Sequence, residues 1–397
     1  MRTRHTLTAA LALTLTLGTA SAPALASTPA APTATASTTS SEDWTDERSR
    51  ALLERLQELA PAGSDRVDTL NRALGIDPQA RAAQLERAID GSQYECSDTE
   101  LMGWLDGQLA DWDLVDILIL SLTGALDWPT YDALLFQPDG PQHYGVDGEH
   151  TKELEKTFRT LTAFWDVDGS DIRMGAMHGS VIQDDARMVR LLTFLYGYTP
   201  EEAQELTDLI QDYLQQDKFA GGDHPLFSFN AFAYSEEGAP PEAQLGIGDK
   251  IIMGDGILEG MGAIGLGDVA PRGILAHEYG HQVQFELGLF DDHAGDAEAT
   301  RETELEADAL AGYYLSHPRG ERLRNQRVDA FVRSFGEVGD CSFASDGHHG
   351  TPNQRSASAA WADELANAKG AKGHVLPAGT VSDRFRAVLP EILAPDA

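Results

Sequence analysis

Two histidines and a glutamate stand at a spacing that suits metal chemistry. His277, Glu278 and His281 lie in the run His-Glu-Tyr-Gly-His. On a helix the two histidines are one turn apart on one face, so both imidazoles can bind one ion. The glutamate beside them can take a proton from a water on that ion. The pattern predicts a Zn²⁺ site with a general base, and a surface helix of solvated polar residues is the plain alternative.

The segment around this run has the features of a helix. Pro271 suits a first helical turn, and Ile274, Val283 and Leu287 continue the apolar spacing as far as a stop at Gly288. A single helix would therefore hold both histidines and the glutamate.

A tetrahedral catalytic zinc needs a third protein ligand and an open position for water. The best source is a second predicted helix over residues 296–318. It carries four carboxylates: Glu302, Glu304, Glu306 and Asp308. Glu304 and Asp308 are four residues apart and share a face, which suits a ligand and its support. Three small residues would let the two helices approach closely: Ala307, Ala311 and Gly312.

Together the two segments resemble the gluzincin metallopeptidases. The likeness is strongest to the bacterial neutral zinc metallopeptidase family, whose relatives are the CAAX prenyl proteases and the membrane heat-shock proteases. Besides residues 277–281 and 304–312, it rests on residues 230–233, 339–340 and 349–355, and it extends over roughly residues 227–355. The resemblance implies Glu304 as the third zinc ligand and Asp308 as the residue that orients a ligand histidine.

The resemblance also implies an activity, hydrolysis of peptide bonds in a peptide or protein substrate. Glu278 would take the proton of a zinc-activated water and pass it to the leaving amine. The developing oxyanion needs a further donor. Four residues are candidates for it, although a packing or structural hydrogen-bonding role is the main expectation for each: His349, Arg355, Tyr313 and Tyr314.

A second class of function is an exported binding or scaffold protein. Its zinc would be structural, or the chain would be an inactive metallopeptidase descendant. The intact Glu278 favours the enzyme, because a structural site has no use for a base at that position.

The amino terminus indicates export. Arg2 and Arg4 precede an apolar run over residues 7–17, and residues 24–26 form a small-residue cleavage pattern. Residues 1–26 are therefore predicted to be a signal peptide, and the protein to be secreted or extracytoplasmic. The family relatives commonly carry membrane spans, whereas no span is expected in the mature chain.

Charge and cysteine content narrow the classes further. With 29 Lys and Arg against 64 Asp and Glu, the formal charge is −35. Such a chain repels nucleic acid and anionic membrane surfaces, so neither is expected as a partner. Cys96 and Cys341 are the only cysteines, and in an exported protein they are predicted to form a disulfide, with two free buried thiols as the alternative. Nothing in the sequence fixes an oligomeric state.

The chain divides by composition. Residues 27–41 are rich in Ala, Ser, Thr and Pro and predict a disordered linker. Residues 42–137 have helical spacing and would be an accessory region or a propeptide. Residues 138–148 are a boundary loop, and residues 149–397 form the predicted zinc metallopeptidase domain.

The fold class expected is α+β, mostly helical, a zincin-like domain with a small mixed sheet. The segments with helical spacing are residues 152–165, 186–196 and 200–215, the last with Thr199 and Glu202 as a capping box. Strands are expected within residues 172–182, 226–234 and 250–258. The last strand could offer an edge to an extended substrate.

Two further features carry weaker signals. Residues 166–171 resemble a Ca²⁺ loop, but the glycine is misplaced for an EF-hand, so a surface turn is the main expectation and calcium the alternative. His178, in a strand-like run, is expected to be a core histidine with its hydrogen bonds satisfied.

Overall fold

The computed structural model describes residues 44–59, 91–95, 98–137, 140–237, 244–289, 297–340, 348–368 and 373–396. The predicted signal peptide, the linker, the helix start at Asp296 and both cysteines lie outside these ranges, so the Cys96–Cys341 disulfide stays a prediction. The described segments that flank the two cysteines do meet. The Thr99 hydroxyl donates a hydrogen bond to the Glu337 carbonyl oxygen at 2.9 Å.

Within the described residues the chain forms thirteen α-helices and three β-strands. The helices are α1 (Asp46–Leu59), α2 (Glu100–Gln108), α3 (Leu114–Thr123), α4 (Trp128–Phe136), α5 (Thr151–Phe164), α6 (Asp185–Tyr196), α7 (Pro200–Leu214), α8 (Asp255–Ala263), α9 (Ala270–Glu286), α10 (Ala297–Ser316), α11 (Gln326–Glu337), α12 (Pro352–Asn367) and α13 (Ala378–Ile392). The strands are β1 (Arg173–Met177), β2 (Ala231–Tyr234) and β3 (Lys250–Gly254). The predicted α+β class, mostly helical with a small sheet, is confirmed.

The sheet is mixed, with strand order β1-β3-β2. Strand β1 runs parallel to β3, and β2 runs antiparallel to it, so that Lys250 pairs with both Arg173 and Tyr234. Strand β3 is therefore central, and the expectation that residues 250–258 offer an edge to a substrate is wrong. Both of its sides already carry hydrogen bonds to neighbouring strands.

The predicted helices after the boundary loop are confirmed to within a residue or so, and the capping box is present. Thr199 accepts from the Glu202 amide, while Glu202 accepts from the Thr199 amide. The strands are shorter than predicted. Residues 179–183 form a 3₁₀ turn in place of the predicted strand end, and Gly179 lies against the Gly222 carbonyl oxygen, where a β-carbon would clash. Strand β3 stops at Gly254, where α8 begins.

The two faces of the sheet pack on two apolar clusters. Ile251 and Met253 belong to a core shared with α9 and with Leu101 of α2. Ile252 lies in a second core with Trp128 of α4 and residues of α6 and α7. Helices of the predicted accessory region therefore pack against the same sheet as the helix that bears the histidines. Among the described residues, no helix combines the length and apolarity that crossing a membrane requires.

Helix α9 is buried over residues 270–285 and lies against α10. Their backbones meet at Gly280, where a β-carbon would lie 3.0 Å from the Ala307 carbonyl oxygen. Ala307 thus acts as the sequence predicts, whereas Gly312 faces Ala359 and Ala362 of α12 and not α9. The close approach brings Glu304 of α10 over the histidines of α9.

Candidate metal centre

Three buried side chains from α9 and α10 converge on one point. His277 Nε2 lies 3.1 Å from His281 Nε2 and 3.2 Å from Glu304 Oε2, and His281 Nε2 lies 3.3 Å from Glu304 Oε1. Ligands about 2.0–2.1 Å from a tetrahedral ion stand roughly 3.3 Å from one another. The three side chains could therefore hold one metal ion.

A carboxylate orients the first histidine. Asp308 Oδ1 lies 2.8 Å from His277 Nδ1, which places the ring proton on that nitrogen and leaves the Nε2 lone pair for an ion. Arg355 holds Asp308 in turn through two hydrogen bonds, of 2.8 Å from Nε and 2.7 Å from Nη2. The predicted supporting position of Asp308 is thus where the structure places it.

The second histidine has a support that the sequence did not reveal. Gln284 Oε1 lies 2.8 Å from His281 Nδ1, and Gln284 Nε2 donates to Glu306 Oε2 at 2.9 Å. Glu306 also accepts from Ser382 and Arg386 of α13. The only sequence signal for this series of hydrogen bonds is that Gln284 follows His281 by three residues and so shares its helix face.

Electrostatic interactions within the group of candidate ligands lower the pKa of Glu304 and raise the pKa of His277. Burial alone would favour the neutral acid, but the nearby His281 and His277 hold the pKa of Glu304 well below its usual value. Burial also opposes a charge on His277, yet Asp308 and Glu304 outweigh it and raise the pKa of that imidazole to about 9. A metal ion must therefore compete with a proton at His277.

Glu278 is fully buried next to the ligands, and neither of its carboxylate oxygens has a hydrogen-bond partner. Burial raises the pKa of this carboxyl group, although His277 and His281 partly oppose the shift. An unpaired buried carboxylate is costly for a fold to keep. Its position makes sense if an ion, a water or a substrate group completes its contacts.

His349 is the one predicted oxyanion donor with an available nitrogen at the site. Its Nδ1 lies 2.8 Å from Asp340 Oδ2, whereas its buried Nε2 has no hydrogen-bond partner. Burial disfavours a charge on this ring, but Asp340 and the nearby Glu304 raise its pKa above the ordinary value. Asp340, which sequence reasoning did not select as a site residue, thus orients His349.

The other three predicted donors are engaged elsewhere. Arg355 is committed to Asp308, with its Nη2 3.4 Å from His277 Nδ1. The Tyr313 hydroxyl accepts from the Leu376 amide at 3.0 Å, and the Tyr314 hydroxyl lies 3.3 Å from Glu321 Oε1. Both tyrosines are buried core residues with partners outside the ligand group, which is the structural role that the sequence left open for them.

The two weaker sequence signals resolve differently. Residues 166–171 form an irregular turn in which Asp168 accepts from the Ser170 amide and Asp166 accepts from the Ala378 amide, so two of the loop carboxylates make local hydrogen bonds. His178 is satisfied by Asp255, but its side chain is 21% exposed, so it is not a core residue.

Comparison with known proteins adds little to this geometry. No family model matches the chain, and no solved structure matches it. One similar protein is the non-ribosomal peptide synthetase CmlP of Streptomyces venezuelae, with 29% identity over 174 residues. The match covers 42% of this chain but only 17% of that protein, so the chain spans a small part of the synthetase.

Proposed function

We propose that the protein is a zinc-dependent endopeptidase. The observation that supports this most is the pairing of a three-ligand cluster, His277, His281 and Glu304, with a buried glutamate that has no partner of its own, Glu278. Three protein ligands leave a fourth position open, as a catalytic site requires and a structural site does not. The same arrangement supports a zincin-like fold of the gluzincin type.

The donor set suits zinc. Two imidazoles and one carboxylate are borderline ligands, and their spacing fits tetrahedral coordination. Asp308 and Gln284 fix the two histidines in the tautomers that present Nε2. Bound zinc would supply Lewis acidity, which lowers the pKa of a water and polarises the scissile carbonyl.

The side chains of this chain would do the rest of the chemistry. Glu278 would accept the proton of the attacking water and deliver it to the leaving amine. His349, oriented by Asp340, would donate a hydrogen bond from Nε2 to the developing oxyanion. No covalent intermediate with the protein is needed.

The site of action proposed is outside the cytoplasm. The support is the signal-like pattern of residues 1–26 in the sequence, together with a formal charge of −35 that suits a freely dissolved protein. Peptide or protein segments would then be the substrates, and the predicted Cys96–Cys341 disulfide would be able to form.

Hydrolysis of denatured casein by the purified mature protein tests the proposal. Cleavage should be detectable, should be abolished by the chelator 1,10-phenanthroline, and should return when zinc is added back. Casein left intact by protein that carries one zinc per chain would favour the binding or scaffold function instead. Cleavage that the chelator does not affect would contradict a metallopeptidase.

A further inference from the structure

A second group of metal-type side chains lies at the other end of α9. One carboxylate oxygen from each of Asp171, Asp249 and Glu286 falls within 4.8 Å of the others. The sheet topology explains why they meet. Asp171 and Asp249 lie just before the parallel strands β1 and β3, whose starting ends are adjacent, and Glu286 is the last residue of α9.

The group is rich in negative charge. Asp168 and Glu237 also lie close enough to act on Glu286. Among the described residues, no Lys, Arg or His forms a salt bridge with any of these five carboxylates, which are Asp168, Asp171, Glu237, Asp249 and Glu286. Burial and these neighbours raise the pKa of Glu286 to about 7. The carboxyl end of a helix is itself negative, which adds to the repulsion.

A buried tyrosine of α9 lies near the same carboxylates. Tyr279, two turns before Glu286 on α9, is fully buried, and its hydroxyl is paired with the Thr162 side chain of α5. The oxygen lies against Gly169, where a β-carbon would clash with it. The charged groups close enough to act on it are Glu286, Asp168 and Asp171.

A second α9 side chain ties the helix to this end of the sheet. Gln282 donates from Nε2 to the carbonyl oxygens of Tyr234 and Lys250, and Lys250 follows Asp249 directly. The Oε1 of the same amide is buried and has no partner. A carboxylate cluster next to a buried amide oxygen without a partner lacks its complement, a cation with its waters.

We propose that Asp171, Asp249 and Glu286 bind one calcium ion. All three donors are oxygens, which hard cations prefer and which zinc does not require. They come from two loops and a helix end, and Asp171 is exposed, so water can complete the six to eight ligands that calcium takes. The ion would join the end of α9 to the starts of β1 and β3, and so would brace the helix that carries His277 and His281.

Calcium binding to the zinc-loaded mature protein tests this inference without any activity assay. Isothermal titration in calcium-free buffer should show one calcium per chain, and saturating calcium should raise the melting temperature by roughly 5 °C. Magnesium at the same concentration should raise it less, since it demands a tighter octahedral site. Zinc content, followed in parallel, should stay at one per chain.

Three variants locate the site: Asp171→Asn, Asp249→Asn and Glu286→Gln. Each should lose the calcium response while melting, without calcium, at or above the wild-type temperature, because one repelling charge is gone. The matched control Asp208→Asn, an exposed carboxylate of α7 outside the cluster, should respond to calcium like the wild type.

Three results would overturn the assignment. They are a wild-type protein that binds no calcium, cluster variants that bind it as the wild type does, and equal stabilisation by magnesium. If one variant fails to fold, the other two still test the site. Asp171 is exposed, so its substitution is the one that the fold tolerates most easily.

Discussion

Helix α9 contributes side chains to two groups of metal-type residues that differ in nearly every physical respect. Around His277 and His281 every donor is buried, and each histidine ring is held by another side chain. At Glu286 the donors are all carboxylates, of which Asp171 is exposed and Asp249 is buried and accepts from the Ser235 hydroxyl. One helix thus joins a rigid site of mixed donors to an open site of like charges.

The contrast indicates what each site can do. A rigid site fixes the ligand geometry before the ion arrives, which is what chemistry at an open coordination position needs. An open cluster of like charges is unfavourable until a cation neutralises it, which makes it suited to stabilising a fold in a compartment where calcium is plentiful. The two sites would therefore divide catalysis and bracing between the two ends of α9.

The largest effect should follow from Glu278→Gln. The amide keeps the size of the side chain but cannot accept a proton, so casein hydrolysis should fall by about 100- to 10,000-fold while zinc content is unchanged. Rates and metal content measured side by side, with the exposed Glu364→Gln of α12 as the matched control, would show this. Near wild-type turnover with zinc bound would remove Glu278 from the mechanism.

The next effect is the pH dependence of zinc binding by His277, His281 and Glu304. Because the pKa of His277 is about 9 without metal, a proton occupies the ring through neutral pH and must leave when zinc binds. Apparent zinc affinity should therefore fall as pH falls, by about tenfold per unit for this one proton. Chelator competition at pH 8 and pH 6 measures it, and affinity that does not change would argue against ligation by His277.

A smaller effect should come from the support of the first histidine. Asp308→Asn should weaken zinc binding by about 10- to 100-fold, because the carboxylate no longer orients the ring or increases its basicity. The exposed Asp329→Asn of α11 is the control. The melting temperature should be measured in the same experiment, because Arg355 would lose its ionic partner. Unchanged affinity in a folded variant would show that the histidine needs no such support.

The smallest effect is on the stability of the protein without calcium, and it comes from the carboxylates Asp171, Asp249 and Glu286. The pKa of Glu286 is raised to about 7 by burial and by four other carboxylates, which means that the neutral form is favoured in the fold. The stability that this confers is present at low pH and is lost as pH rises through about 7. Glu286→Gln should thus melt roughly 2 °C above the wild type at pH 8, with less gain at pH 5. An equal difference at both values would contradict the repulsion.

The sequence predicted well what is local. The helix over residues 270–286, its two histidines and the capping box at Thr199 all follow from spacing within one element. The strands were predicted too long, because an apolar run can continue past a strand end into the next element, such as the 3₁₀ turn over residues 179–183 or helix α8. The central place of β3 depends on pairing between distant segments, which no local pattern encodes.

The supports of the site were the hardest part to predict. Gln284 reaches Glu306, which in turn is held from α13, some 76 residues further along the chain. Asp171 and Asp249 are brought together only by the parallel pairing of β1 and β3. Such partners are specified by the whole fold, so a single sequence names the ligands more readily than the residues that hold them.

The contact between Gly280 and Ala307 gives the metal centre an unusual mechanical property. Side chains in contact can rotate to relieve a strain, whereas two backbones in contact can only move apart as whole helices. A methyl group at Gly280 would require a shift of a few tenths of an ångström. Metal–ligand bonds tolerate about 0.2 Å. A substitution at Gly280 would therefore change the separation between α9 and α10, and with it the separation between His281 and Glu304.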